Sequence, residues 1–302
     1  MLRKAPGASM AQITNHSPFV CDAAHVVDSA SAEFARLRCA PMPRKRLDTL
    51  MAERGLFESR ARAAAAVMAG EVKIGDRPAR KPGQLVADDE QIEVAAAPAY
   101  VSRGGIKLAN ALDALGLDPA GRRCLDVGAS TGGFTDCLLQ RGARAVIALD
   151  VAYGELHWRL RQDPRVTVIE RVNARSLDCA ALPFRPELVV ADVSFISLEK
   201  VLPAVLACAG ERFDCLALVK PQFEAGRVRV GKGGVVRDAP TRRATLVAVA
   251  EAARREGYVV MGFAPSGLPG PAGNRETFAW IAEAGRAGAL EDVEAAAQAV
   301  EP

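Results

Sequence analysis

Of the three histidines only His157 lies outside the first 41 residues, so a histidine-centred acid–base mechanism has almost nothing to draw on. Lysines and carboxylates are left to do the chemistry. Lys107 closes the run Ser102-Arg103-Gly104-Gly105-Ile106-Lys107, expected just before the first strand, Asp192 and Lys220 end two apolar runs, and Glu276 precedes a third. A lysine serves as a general base when burial or a second ammonium depresses its pKa, while flanking carboxylates fix its orientation. Two lysines with two acids suit methyl transfer from an activated sulfonium to a ribose hydroxyl, a reaction in which the protein mainly aligns the oxygen and removes its proton. The same four residues also fit surface ion pairs in loops. Against that reading, Lys220 ends the apolar run Leu216-Ala217-Leu218-Val219 and precedes Pro221, an unusual setting for a solvated side chain.

A donor needs a cradle, and Asp126-Val127-Gly128-Ala129-Ser130-Thr131-Gly132-Gly133-Phe134 supplies a candidate. An apolar strand ending in Asp126 runs into a tight Gly/Ser/Thr turn, and a helix begins near Gly132. Doubly wound sheets place a ligand at such a carboxyl edge, and glycine lets the backbone turn without a Cβ in the ligand's way. Asp126, Gly128, Ser130, Thr131, Gly132, Gly133 and Phe134 are therefore the candidate cofactor contacts. Three residues separate Gly128 from the Gly132-Gly133 pair, which departs from the GxGxxG dinucleotide fingerprint and disfavours NAD. Asp150 closes the next strand where a carboxylate accepts hydrogen bonds from an adenosyl ribose. It supports an adenosyl ligand without choosing among cofactors, and a plain strand-to-helix turn with an ordinary strand-end aspartate stays the alternative.

The elements that must hold these residues follow from the apolar pattern. Strands are expected at 124–127, 145–151, 166–169, 188–193, 215–219, 258–263 and 277–281, alternating with helical segments, the longest over 241–256. That is an α/β fold, Rossmann-like, with a seven-stranded, mostly parallel sheet covered by helices. Strand ends of such a sheet converge on one edge, which gathers the turn and the four charged residues. Ahead of it, Leu47, Leu50 and Met51 recur at helical spacing, a second helix runs from Ser59 to Met68, and short strands are expected at 72–74 and 91–94, giving a small α+β unit. Arg44, Lys45, Arg46, Arg54, Arg60 and Arg62 gather around its two helices, and most of its acids come later. The result is a basic face suited to phosphates, or an ordinary solvated surface.

The division expected is a disordered extension over 1–41 with Met42 as a candidate true start, a small domain over 42–95, a linker at 96–99, a catalytic domain over 100–285, and a tail over 286–302 that forms a terminal helix with a frayed end. Lys and Arg outnumber Asp and Glu by only 39 to 36 in 302 residues, so affinity for nucleic acid must come from local clustering. Cysteines 21, 39, 124, 137, 179, 208 and 215 form no CxxC pair; several lie in apolar runs where Cys packs as a small hydrophobe, and a reducing, cytoplasmic setting without metal is expected. No apolar stretch approaches the ~18 residues of a membrane span.

These motifs are similar to those of a known family. The chain closely resembles the TlyA (hemolysin A) family of ribosomal RNA 2′-O-ribose methyltransferases, which joins an S-four-like (alpha-L) RNA-binding domain to an FtsJ-like catalytic domain. The resemblance covers about residues 44–282. It rests on Arg46-Leu47-Asp48, Ser59-Arg60 and Gly70-Glu71-Val72, then Tyr100 to Gly105, Asp126 to Asp136, Asp192-Val193-Ser194-Phe195-Ile196-Ser197-Leu198, Leu218-Val219-Lys220-Pro221-Gln222-Phe223-Glu224, Gly231 to Asp238 and Gly270 to Glu276. It implies a Lys107-Asp192-Lys220-Glu276 tetrad with Lys220 as base and S-adenosylmethionine as cofactor. The methionine moiety would lie against Gly128 to Phe134, the ribose on Asp150, and the adenine near Asn173 to Arg175, with Asp192 also facing the cofactor. The implied substrate is ribosomal RNA or ribosomal subunits, with cytidine as the nucleotide and a monomer as the acting form. A non-catalytic RNA-binding assembly factor on the same fold is the alternative. A membrane-lysing protein, as the family's older name suggests, is disfavoured by the lack of a spanning or strongly amphipathic basic helix.

Overall fold

A computed structural model describes residues 44–94, 98–226, 229–231 and 233–301. The expectations for the 1–41 leader and the Met42 start, and part of the 96–99 linker, fall outside the described residues. Two compact units divide between Ala95 and Ala96.

In the first unit β1 (Arg44–Arg46) pairs antiparallel with β4 (Leu85–Ala87), and a three-stranded sheet has the order β3 (Arg77–Pro78), β2 (Val72–Ile74), β5 (Ile92–Val94). Helices α1 (Leu47–Glu53) and α2 (Arg60–Met68) bury Leu47, Leu50, Met51, Ala63, Ala66 and Val67 with Val72 and Val86. The i, i+3, i+4 spacing puts Leu47, Leu50 and Met51 on one stripe of α1. Ser59 caps α2 by accepting the Arg62 N–H at 3.2 Å, leaving its first turn satisfied. The strands at β1, β3 and β4 were not anticipated. Each is two or three residues long, and β1 is wholly cationic, so no apolar alternation marks it.

The second unit holds a seven-stranded sheet in the order β11-β12-β10-β9-β6-β7-β8. Its strands are β6 (Arg123–Val127), β7 (Ala145–Leu149), β8 (Val166–Ile169), β9 (Leu188–Ala191), β10 (Asp214–Val219), β11 (Val259–Pro265) and β12 (Thr277–Ala282). The first five run parallel, whereas β12 pairs antiparallel with both β10 and β11. Along each strand alternate residues face opposite cores. Leu125, Val127, Val189, Ala217 and Val219 pack with α6 (Leu202–Ala207) and α8 (Ala239–Arg255), and Cys124, Val146, Val190, Leu216 and Leu218 with α3 (Arg103–Leu115) and α4 (Gly133–Gln140). The chain leaves β6 toward β7 on one side and returns to β9 on the other, so the crevice beyond the ends of β6 and β9 is the switch point where such sheets bind ligands.

Three expectations need correction. Lys107 lies within helix α3, where it shares the buried side with Leu108, Ala111 and Leu112, instead of in a segment leading into the first strand. The tail is not frayed: α9 (Val293–Val300) docks on α8 through buried Val293 and Ala297, Asp292 caps it at Ala295 N–H (2.8 Å), and Glu301 bonds Arg242 at 2.8 Å. Its Ala/Glu composition hides the narrow i, i+4 stripe that anchors it. Cys179 and Cys208 are joined in a disulfide, so these two do not pack as free thiols, while Cys124, Cys137 and Cys215 are free and buried. Among the described residues no helix is long and apolar enough to cross a membrane.

Candidate active site

Strand β6 delivers Asp126 to the crevice fully buried, with Oδ2 accepting the Thr135 N–H (2.9 Å) and hydroxyl (2.7 Å) from the first turn of α4. Burial pushes its carboxyl up to about 7, and the charges of Asp192 and Asp150 add to the shift, while the Thr135 bonds oppose it. At Gly128 (φ 82°) a Cβ would fall 2.6 Å from the Asp192 carbonyl oxygen, so only glycine lets the turn pass so close to the end of β9. Ser130 holds a left-handed conformation (φ 47°), uncommon for a non-glycine residue and stabilised here by its N–H bond to Asp150 Oδ2 at 2.7 Å. Asp150 Oδ1 accepts the Ala152 N–H at 2.8 Å. Asp150 thus braces the glycine turn through Oδ2 and the segment after its own strand through Oδ1, and each oxygen has a second lone pair for a ligand hydroxyl.

Two cavities open at this edge. One of about 390 Å³ is lined by Gly128 to Thr131, Gly133, Phe134, Lys107 and Asp192, together with Ser102, Arg103, Gly104, Pro269 and Pro271. The other, about 350 Å³, lies between Asp150, Val151, Ala152 and Glu155 on one side and Asn173, Ala174, Ser194 and Phe195 on the other, with Asp192 again on its wall. Asp192, with Gly128 and Ser130, therefore belongs to the shared partition. Gly132 caps α4 behind the first cavity. Asn173 caps a 3-10 turn (Ala174–Ser176) by accepting the Arg175 N–H at 3.0 Å, but the Arg175 side chain is exposed and lines neither cavity.

The four charged residues meet as two pairs. Lys107 Nζ bonds Glu276 Oε2 at 2.5 Å, with side chains only 9% and 1% exposed. Lys220 Nζ approaches Asp192 Oδ1 at 2.6 Å, with exposures of 11% and 25%. Sequence reasoning passed over several neighbours: Ser102, Arg103, Pro269 and Pro271 on the first cavity, and Ser194 with the 92% exposed Phe195 at the second. All but Pro269 lie in the Ser102-Arg103-Gly104-Gly105, Asp192-Val193-Ser194-Phe195 and Gly270-Pro271 segments, so for these the signal was in the motifs already singled out, and Pro269 directly precedes the last of them.

Residues 100–282 match the FtsJ-like methyltransferase family, and 45–92 match the S4 domain. The chain belongs to the FtsJ-like methyltransferases. It is 51% identical over 240 residues to the 16S/23S rRNA (cytidine-2′-O)-methyltransferase TlyA of Mycobacterium tuberculosis, covering 79% of this chain and 90% of that one. Hemolysin A of Brachyspira hyodysenteriae is 41% identical over 194 residues, covering 64% and 81%. A solved structure of a hemolysin-named protein from Streptococcus thermophilus superposes with a TM-score of 0.65 at 37% identity, covering 86% of this chain and 96% of that one. Hemolysin names thus recur among relatives of an FtsJ-like methyltransferase.

In the S4 unit the six candidate RNA contacts differ in how free they are. Lys45 pairs with Glu53 (2.8 Å) and Asp88 (3.2 Å), Arg46 with buried Asp48 (2.7 Å), and Arg60 with the same carboxylate at 3.5 Å. Arg54 donates to the Asp88 and Glu90 carbonyls. The guanidinium of Arg46 holds the Asp48 carboxyl below its usual range. Arg44 and Arg62 are exposed, and among the described residues no side-chain ion pair is found for either. The basic surface is thinner than the sequence suggests because Asp48 and Asp88 fold back onto it.

Proposed function

We propose that this methyltransferase uses S-adenosylmethionine to methylate ribose 2′-hydroxyls in ribosomal RNA, at cytidine, with Lys220 as general base. The observation that carries the reading is the Lys220–Asp192 contact, with Asp192 on the wall of the cavity at the glycine turn, and the Lys107–Glu276 pair joining α3 to the start of β12. The residues fit the cofactor. Gly128 leaves the turn open to close approach, Asp150 offers acceptors for a ribose, and Asp192 Oδ1 is buried without an aligned hydrogen-bond partner on the wall of both cavities. Gly128 to Phe134 and Asp126 would hold the methionine end, and Asn173 the adenine side. When bound, S-adenosylmethionine supplies a methyl group already activated on a sulfonium. Lys220 then has to orient the ribose hydroxyl and take its proton, and Asp192 holds the resulting ammonium. Lys107 and Glu276 form a fixed charged wall that positions the nucleotide. The S4 unit (42–95), joined through 96–99 to the catalytic unit and its docked tail, would bring the ribosomal subunit through Arg44 and Arg62 and the exposed heads of Arg46 and Arg60, while Lys45 and Arg54 shape that surface. A ribosomal substrate implies action in the cytoplasm.

The test is incubation with ribosomal subunits and labelled S-adenosylmethionine, followed by nucleoside analysis. Label is expected on the 2′-oxygen of cytidine, and Lys220→Ala is expected to slow transfer by roughly 10²–10⁴-fold. No label in RNA, or label on a base, overturns the reaction. A fully active Lys220→Ala enzyme overturns the assigned base.

A further inference from the structure

Lys220 is held by two neighbours that do different things. The 2.6 Å approach to Asp192 Oδ1 is an ion-pair contact, yet that oxygen has no aligned hydrogen-bond partner. The directional bond of the Lys220 amine goes elsewhere, to Ser194 Oγ at 2.9 Å. Asp192 therefore attracts the amine without fixing its rotation about the Cε–Nζ bond. We infer that Ser194 is a positioning residue for Lys220, setting the rotor of the amine so that its lone pair faces the substrate hydroxyl.

A neutral lysine amine carries two N–H bonds and one lone pair at tetrahedral angles. With one N–H directed at Ser194 Oγ and the other drawn toward the Asp192 carboxylate, the lone pair takes the third direction. Without Ser194 the amine turns about its own bond and presents an N–H to the hydroxyl for part of the time. The serine is itself firmly placed although its side chain is exposed. Phe195, which follows it, is left-handed (φ 64°), and Glu224 grips the next stretch of the loop, accepting the Ser197 hydroxyl at 2.6 Å and the Leu198 N–H at 2.9 Å. Glu224 lies in α7 (Pro221–Glu224), the turn that follows Lys220 directly, and Phe195 packs on Phe223 of that turn with ring centroids 5.2 Å apart. The loop carrying Ser194 is thereby clamped to the segment carrying Lys220. That clamp gives a serine at a cavity mouth a fixed place relative to the base.

This inference rests on Lys220 being the base, and the experiment separates the two. Ser194→Ala, Ser194→Thr, Lys220→Ala and the Ser194→Ala/Lys220→Ala double variant are compared in single-turnover methylation of ribosomal subunits, with S-adenosylmethionine affinity measured by calorimetry. Ser194→Ala is expected to lose about 10- to 100-fold in the single-turnover rate constant with half-saturation by subunits and cofactor affinity unchanged. Ser194→Thr, which keeps the acceptor oxygen, recovers most of the rate. In the Lys220→Ala background, removal of Ser194 has no further effect, since a rotor that is absent needs no setting. Full activity of Ser194→Ala overturns the inference, as does the same fold-loss on top of Lys220→Ala, or a loss confined to cofactor affinity. Full activity of Lys220→Ala overturns the base assignment and the inference with it.

Discussion

Replacing Lys107 by alanine strands the Glu276 carboxylate in a place built for an ion pair. Its side chain is 1% exposed, Oε2 has lost its partner at 2.5 Å, and Oε1 has no hydrogen-bond partner to begin with. Nor can the surroundings relax easily, because Gly270 lies so close that a Cβ there would come 2.3 Å from Oε1. Breaking one side of such a buried pair costs about 3–5 kcal/mol, whereas exchanging both partners for neutral groups of similar volume is close to neutral. Lys107→Ala is therefore expected to destabilise the catalytic unit by about 3–5 kcal/mol. At roughly 2–4 °C per kcal/mol for a unit of this size, that is about 10 °C in Tm. Lys107→Met/Glu276→Leu should recover most of it, giving a coupling energy of at least about 2 kcal/mol.

Urea unfolding followed by tryptophan fluorescence isolates the effect, since both tryptophans of the chain, Trp158 and Trp280, belong to the catalytic unit. Activity alone would mislead, because a methyl-transfer defect in Lys107→Ala mixes lost folding with lost chemistry. The reasoning fails if Lys107→Ala costs less than about 1 kcal/mol, or if the double variant is as unstable as the single one.

Asp126 predicts a pH dependence. A carboxyl raised from an ordinary 3.8 to about 7 by burial favours the fold below pH 3.8 and loses that contribution as pH rises to 7, on the order of 4 kcal/mol in all. Asp126→Asn keeps the acceptor for Thr135 and should remove this slope, so the stability difference between wild type and variant changes across pH 4–7; a constant difference refutes it. Gly128→Ala, strained and 2.6 Å from the Asp192 carbonyl, should abolish S-adenosylmethionine binding in calorimetry. Gly116→Ala, equally left-handed (φ 66°) but facing open space at the end of α3, should cost only about 1 kcal/mol with affinity unchanged. Glu301→Ala leaves Arg242 without its carboxylate and is expected to cost about 3 kcal/mol in thermal melts.

Much of the sheet was legible because β9 and residues 215–219 of β10 are buried at every position and so read as unbroken apolar runs, followed by Asp192 and Lys220. The short strands of the S4 unit were not, since pairing of Arg44–Arg46 with Leu85–Ala87 is decided by the partner and not by any period in the sequence. Residue types at the site were legible, but pairings were not. Lys107 finds Glu276 across 169 positions and Lys220 finds Ser194 across 26, distances at which spacing carries no information. The same blindness applied to Cys179 with Cys208, and to Asp48, whose buried carboxylate neutralises part of a surface that composition made look wholly basic.

The two lysines are equal in sequence and unequal in structure, and that inequality bears on which of them can act. Lys107 is on a helix with its ammonium committed to a carboxylate that is itself enclosed, so moving a proton there disturbs a buried ion pair. Lys220 ends a strand, and its carboxylate partner, one quarter exposed, faces both cavities. A base must give up its own proton before the reaction and again after it, which requires a path to water and a partner that tolerates both charge states. Asp192 at the partition has the exposure for that role, and Glu276 does not. Antiparallel β12 delivers Glu276 to the same edge from the opposite chain direction, with Thr277 paired to Val219 beside Lys220. A fold that supplies five parallel strand ends and one reversed strand start to a single crevice thus places two identical side chains in unlike surroundings, Lys107 in an enclosed ion pair and Lys220 beside a carboxylate that lines both cavities.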